Sequence, residues 1–476
     1  MLSCLARPRI GRVASSIVRT RTKRPFSMKS FSSNSKIYIA TAGLISTPGL
    51  WWLTATTDDV PCLESSPTEH LAPEPGPSKE DVTHLLSKEA YSFQVRSIAG
   101  VNRYDGAQLA SNSPCEDRFL HGTLSSPWNE NDQWMSWGVF DGHSGWQTAD
   151  LLTKQLLLFV RRRLAETKPP SNNESVPNES VQRAIMKGFV DLDDSIIKTA
   201  QDTSKSKDSF QDKVKKLLPA YAGSCALLSL YDPITSTLHV ACTGDSRAIL
   251  GQRGPDGSWE AIPLSVDQSG SNEDEVARIS KEHPGEENIA KNGRVLGLAV
   301  SRAFGDSLWK WPLDFQKEMK RKFNGPAPLT PRYDVHTPPY LTAEPVVTST
   351  KIDPDKPSFL ILATDGLWDH LSNKQGVDLI GNWLEPEPQG TGEKTIKPEL
   401  RDRQFDYGRF WEDVNWKFVE ERTTAQDDNA AVHLMRNSLG GNHHELIAGR
   451  LAFGPPFSRR VRDDITVQVV FFNVEK

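Results

Sequence analysis

Carboxylates recur where the apolar runs of this sequence stop. Asp141 follows Trp134 to Phe140, Asp245 follows the run around Leu238 to Thr243, Asp365 follows Phe359 to Ala363, and Asp463 stands just ahead of Ile465. Glu116-Asp117 precedes the first of these runs. One such residue alone is usually a turn or helix-cap residue. Five acidic positions gathered on one edge would repel one another unless cations sat between them, and oxygen-only sites suit hard ions such as Mg²⁺ or Mn²⁺. Two such ions about 3.5 to 4 Å apart can activate a water and clamp the oxygens of an in-line displacement at phosphorus. In Gly138 to Trp146, GVFDGHSGW, His143 lies two residues beyond Asp141 and could protonate a leaving alkoxide as general acid. Glycine beside Asp141 and Asp365 lets the backbone come close, and the Gly142 carbonyl could itself be a ligand.

The elements that must position these residues are legible from periodicity. Trp134 to Phe140 reads as a strand, and Gln147 to Glu166 has helical spacing in Leu151, Leu152, Leu156 and Val160. Asp141 to Trp146 is therefore a strand-to-helix turn. Leu238, Val240 and Cys242 alternate with His239, Ala241 and Thr243, which predicts a half-buried strand ending at Gly244-Asp245. Phe359 to Ala363 is continuously apolar, as in a strand buried on both faces. The last strand starts after Asp463-Asp464, with Ile465, Val467, Val469 and Phe471 on one face. Helical spacing recurs in Val181 to Ala200, Glu273 to Glu282 and Phe410 to Glu421. Strands arrive in runs separated by helix pairs, without regular βαβ alternation. That favours an α+β fold of mainly antiparallel sheets covered by helices.

At 476 residues, one large catalytic domain with extensions is the expected organisation. A net charge of −5 with 25% charged residues gives no overall signature of nucleic-acid or membrane-surface binding. The mean hides an asymmetry. Met1 to Thr57 holds no Asp or Glu, while nine Arg and Lys from Arg7 to Lys36 are interleaved with Ser, Leu, Ile and Val. Residues 1–36 thus read as a mitochondrial targeting presequence. Residues 37–57 are uncharged and close to the length that spans a bilayer, so they read either as an inner-membrane anchor or as an extension of the targeting region. Residues 58–80 form a Pro/Ser/Glu-rich linker, and folding is expected to begin near Asp81, giving a domain over 81–476. The five cysteines form no CxxC pair, which argues against a zinc site or a disulfide framework.

The ordered series EDRF, GVFDGHSGW, AGSCA, CTGDSRA, GRVLGLAVSRAFGD, LATDGLWD and RDDITV resembles the metal-dependent protein phosphatases of the protein phosphatase 2C family. Seven blocks in the family's order cover the chain from Tyr91 to its end. The resemblance implies a four-layer α-β-β-α sandwich of two central antiparallel sheets flanked by helices. It implies hydrolysis of phosphoserine and phosphothreonine with two Mg²⁺ or Mn²⁺ ions and no phosphoenzyme. It also implies Asp141 as the ligand shared by both ions, Asp365 and Asp463 on one, and Glu116 with the Gly142 carbonyl on the other. Asp117 would hold a coordinated water, Asp245 and Asp369 would hold a weaker third ion with Asp365, and Asp306 would support the site.

Within the family, YDGAQLASNSPCEDR, HTPPYLTAEPVV, DDNAAVHLMRNSLGG and RDDITVQVVFFN resemble the branch of mitochondrial pyruvate dehydrogenase phosphatases and their fungal relatives. This implies a mitochondrial enzyme, in the matrix or on the inner membrane. Its phosphoprotein partner would be the pyruvate dehydrogenase complex, activated by dephosphorylation of the E1 alpha subunit. Three positions depart from the broader family. Asn112 replaces an arginine that grips the substrate phosphate, Asp464 stands where Asn is common, and Cys225 stands at a packing position often held by Thr. Asn112 would face the phosphate with fewer and weaker hydrogen bonds than a guanidinium offers. Stretches near 309–338 and 383–460 read as insertions that either dock a large substrate or are solvated surface.

Rival chemistries leave only near misses. No cysteine is followed six positions later by Arg, which excludes a Cys-based phosphatase. GNHHE at Gly441 to Glu445 lacks the companion boxes of another metallophosphatase class and reads as a solvated loop. Asp191 and Asp193 of DLDDS fall in a helical pattern and read as a charged helix face. A catalytically inactive phosphoprotein-binding scaffold is disfavoured because Glu116, Asp141, Asp365 and Asp463 are all present, and a calcium module lacks the evenly spaced DxDxDG loop.

Overall fold

The computed structural model describes residues 76–167, 175–385 and 418–474. The presequence, the candidate span, most of the linker and residues 386–417 lie outside the described residues. Among the described residues the first element is the Lys79–Ser87 helix, capped by Ser78, whose hydroxyl accepts from the Asp81 amide while the Asp81 carboxylate accepts from the Ser78 amide.

Two antiparallel sheets form the centre. One has the strand order Tyr91–Gln94, Val101–Leu109, Ile465–Phe472, Ser358–Ala363, Arg247–Arg253 and Trp259–Pro263. The other runs Val346–Lys351, Thr237–Thr243, Ala226–Asp232, Gln133–Phe140 and Arg118–Ser125. Trp137, Val139, Leu227, Val240, Leu250, Leu360, Leu362, Val470 and Phe472 fill the space between them. Trp137 is fully buried there, and truncating such a side chain costs about 3–5 kcal/mol.

Helices cover both outer faces. On the five-stranded sheet lie Gln147–Glu166 and Asn178–Lys205, which bury Leu152, Leu156, Val160 and Leu164 against Ile185, Phe189 and Leu192. Gly188 permits this close crossing, since a Cβ there would stand 2.7 Å from the Val160 Cα. Asn373–Leu384 and Ala430–Leu439 cover the six-stranded sheet. The result is the expected four-layer α-β-β-α sandwich.

Several sequence expectations need correction. Thr237–Thr243 is buried on both faces, because one face meets the other sheet and the second lies beneath helices. Asp193 is 6% exposed and belongs to no solvated face: it accepts from the Gly305 amide at 2.9 Å and pairs with Lys310 at 2.7 Å. Gly441 to Glu445 is a structured turn in which His443 Nδ1 accepts from the Leu446 amide and caps the His444–Ala452 helix. The described parts of the two insertion-like stretches also carry core. Trp311, Met319 and Phe323 pack into the helical layer, and every residue of Ala430–Leu439 is buried. The helix expected over Phe410 to Glu421 lies mostly outside the described residues, and its described end forms a single 3₁₀ turn at Glu420–Arg422.

Candidate active site

The ends of strands from both sheets converge. Asp141 ends Gln133–Phe140, Asp245 follows Thr237–Thr243, and Asp365 opens the short Asp365–Trp368 helix after Ser358–Ala363. One carboxylate oxygen from each of Asp141, Asp245 and Asp365 lies within 4.8 Å of the others. Burial, then the Asp365 charge, drives the Asp141 carboxyl well above its ordinary range, and the same two causes push Asp245 up to about 7. Asp369, one helical turn beyond Asp365, is pushed up to about 6 by burial and then by Asp365. Charges this close in a low-dielectric setting are relieved by taking up a proton or by binding a counter-cation. The all-oxygen donor set therefore fits a hard divalent ion.

Two glycines bring the surrounding backbone in. A Cβ on Gly142 would lie 2.2 Å from the Glu116 carbonyl oxygen, and one on Gly366 would lie 2.1 Å from the Asp464 carbonyl oxygen. Each aspartate-glycine step thus packs directly under another strand end. Asp117, fully buried, accepts from Thr364 Oγ1 at 3.0 Å and Thr466 Oγ1 at 2.7 Å. Burial and then Asp464 raise its carboxyl well above normal. Arg118 fixes the same loop by donating to the Cys115 and Asp117 carbonyls, each at 2.7 Å. Cys225 is more than a packing residue, because its thiol donates to Asp245 Oδ1 at 3.2 Å.

Asp464 is the hub of the segment that carries Glu116. It accepts from the Ser111 amide, from the Asn112 amide at 2.9 Å, from Asn112 Nδ2 at 3.1 Å and from the Glu116 amide at 2.8 Å. The Asn112 side chain is thereby turned toward Asp464. Next to it, Asp463 accepts from the Asp464 amide at 2.6 Å and pairs with Arg459. Neither the hub role of Asp464 nor the proximity of Arg459 follows from periodicity; the Asp-Asp doublet ahead of the last strand was the available signal.

His143 sits in a three-stranded ribbon made of Gly142–His143, Gly223–Ser224 and Phe304–Gly305. Gly223 pairs with His143 on one side and with Gly305 on the other. Across it, His143 Nε2 meets Asp306 Oδ2 at 2.6 Å. Burial lowers the imidazolium, but the Asp306 carboxylate outweighs it, and the net shift is upward. Asp306 is held in the left-handed region at φ 44°, followed by a 3₁₀ turn, and its amide donates to the Ala222 carbonyl at 2.9 Å.

Residues 106–409 match the protein phosphatase 2C family. The chain is 42% identical to a protein phosphatase 2C homologue of Schizosaccharomyces pombe, over 79% of this chain and 81% of that one. It is 37% identical to the Saccharomyces cerevisiae protein named mitochondrial pyruvate dehydrogenase (acetyl-transferring) phosphatase 1, over 82% of this chain and 71% of that one. To the Homo sapiens protein of the same name it is 31% identical, over 82% of each chain.

Proposed function

The chain belongs to the protein phosphatase 2C family, and from that premise we propose a mitochondrial, divalent-metal-dependent serine/threonine phosphatase that acts on the E1 alpha subunit of the pyruvate dehydrogenase complex. The observation that carries the chemistry is the meeting of Asp141, Asp245 and Asp365 within 4.8 Å. The substrate and location rest on the names of the relatives at 37% and 31% identity, and on the basic, acid-free segment before Asp58.

In this reading Asp141, Asp365, Asp463, Glu116 and the Gly142 carbonyl would hold two divalent ions. Asp245 and Asp369, together with Asp365, would hold a weaker third ion. When bound, Mg²⁺ or Mn²⁺ supplies water activation and charge balance for the phosphate. The protein supplies the rest. His143 hands a proton to the departing seryl or threonyl oxygen, and Asp306 takes the Nε2 side of the ring, leaving Nδ1 to deliver that proton. Asp117, fixed by two threonine hydroxyls, orients water at the centre.

The test is phosphate release by the full chain with Mg²⁺ or Mn²⁺, from phosphorylated pyruvate dehydrogenase complex and from a generic phosphoserine peptide, with Asp141→Asn as control. Metal-dependent release strongly favouring the complex is expected. Equal release from both substrates would overturn the substrate assignment, and no release from either would overturn the phosphatase reading.

A further inference from the structure

We infer that Arg459 grips the substrate phosphate in place of the arginine that Asn112 has replaced. The inference rests on the phosphatase reading above. Asn112 cannot serve without a rearrangement, because its Nδ2 is held by Asp464 at 3.1 Å and its backbone amide by the same carboxylate at 2.9 Å. With the ions balancing the carboxylates, a phosphate dianion there would still gain charge-assisted hydrogen bonds from a guanidinium on its open side.

Among the described residues, Arg118, Arg247 and Arg462 are engaged elsewhere. Arg118 donates to two backbone carbonyls and lies over the Trp146 ring. Arg247 is paired with Asp267 and donates to Asn373 Oδ1. Arg462 is buried and donates to the Arg450, Phe453 and Ala110 carbonyls. Arg459 differs from all three. Its side chain is 44% exposed, and its guanidinium pairs with Asp463, which the proposed function places on one of the ions.

Its turn is tethered beside position 112. Arg459 stands on the Phe457–Arg460 3₁₀ turn, where the fully buried Ser458 donates its hydroxyl to the Ser111 carbonyl. Ser111 Oγ in turn donates to the Arg462 carbonyl at 2.8 Å. The turn bearing Arg459 is therefore riveted to the residue that precedes Asn112. Once Asp463 shares its charge with a divalent ion, its hold on the guanidinium weakens. A phosphate, which guanidinium binds through two parallel N–H donors, becomes the better partner.

The experiment measures binding of inorganic phosphate to the Mn²⁺-saturated full chain by calorimetry, its inhibition constant against phosphopeptide hydrolysis, and Mn²⁺ affinity, for wild type, Arg459→Ala and Arg459→Lys. Loss of one charged bidentate contact should weaken phosphate binding roughly tenfold or more in Arg459→Ala, with partial recovery in Arg459→Lys. The KM for phosphopeptide should rise in parallel, and Mn²⁺ affinity should change far less. Phosphate binding within about twofold of wild type would overturn the inference. So would a loss of phosphate binding fully accounted for by lost Mn²⁺, which would make Arg459 a mere support for Asp463. If wild type released no phosphate with metal, the phosphatase reading itself would fail, an outcome visible before any variant is compared.

Discussion

His143 and Asp306, 163 residues apart in sequence, meet at 2.6 Å through Nε2 and Oδ2. The carboxylate fixes the ring orientation and favours the protonated form, which is what a general acid needs. Asp306→Asn should therefore lower kcat by roughly ten- to a hundredfold at neutral pH while Mn²⁺ binding persists. His143→Gln should cost at least as much. The double variant should be little worse than His143→Gln, because both act through one proton donor. Steady-state kinetics on a phosphopeptide would check this, and fully multiplicative losses would show that Asp306 acts independently of the ring.

Gly223 holds that pair open by having no side chain. A Cβ there would lie 2.1 Å from His143 Nε2 and 2.3 Å from Asp306 Oδ2. Gly223→Ala should thus separate the two groups and reduce kcat to a similar degree as Asp306→Asn. The carboxylate cluster, built on other strand ends, should still bind Mn²⁺. Parallel kinetics and Mn²⁺ titration would test the split, and wild-type kcat would contradict it.

On the proposed function, Asp141 should make opposite contributions to stability and to activity. Without cations its half-buried carboxylate faces Asp365, Asp117 and Asp245, so Asp141→Asn removes a repulsion while keeping the shape. In chelator-treated protein the variant should melt at a higher temperature than wild type. Added Mn²⁺ should raise the wild-type melting temperature strongly and the variant's little, with nearly all phosphatase activity lost. A variant less stable than wild type in chelator would mean that the cluster is not strained by its own charge.

Much of this site was legible because strand ends are. The alternation and apolar runs before Asp141, Asp245 and Asp365 marked where the chain must turn, and the glycine after Asp141 and Asp365 marked where another backbone passes close. The sequence did not reveal partners that depend on tertiary crossings. Asp193 looked like part of an exposed helix stripe, because helical spacing does not say which stripe meets the Gly305 loop. Asp464 looked like one more acidic group near the cations, whereas it spends its oxygens on four donors of the 111–116 segment. Thr237–Thr243 alternates as a one-faced strand does, yet the small and polar residues of its second face pack under helices.

The segment bearing Asp306 is anchored from the far side by Glu275, and the anchor is sensitive to acid. The buried Glu275 carboxylate accepts from Arg302 Nη2 at 2.6 Å, from Arg278 Nη2 at 2.8 Å and from Ser301 Oγ at 2.7 Å. Burial alone would raise its carboxyl, but Arg302 and Arg278 outweigh it and bring it down to about 2. A carboxyl lower in the folded than in the unfolded protein contributes stability that is complete above its unfolded value, near 4.5, and is lost as pH falls toward about 2. After discounting for solvent screening, that contribution is on the order of 2 kcal/mol. Glu275→Gln should therefore be less stable than wild type at pH 6, and the gap should narrow as pH falls from 5 to 3, with urea unfolding at each pH as the measurement. A gap that stayed constant with pH would show that the ionised carboxylate does not hold Arg302 and, through it, the short strand that precedes Asp306.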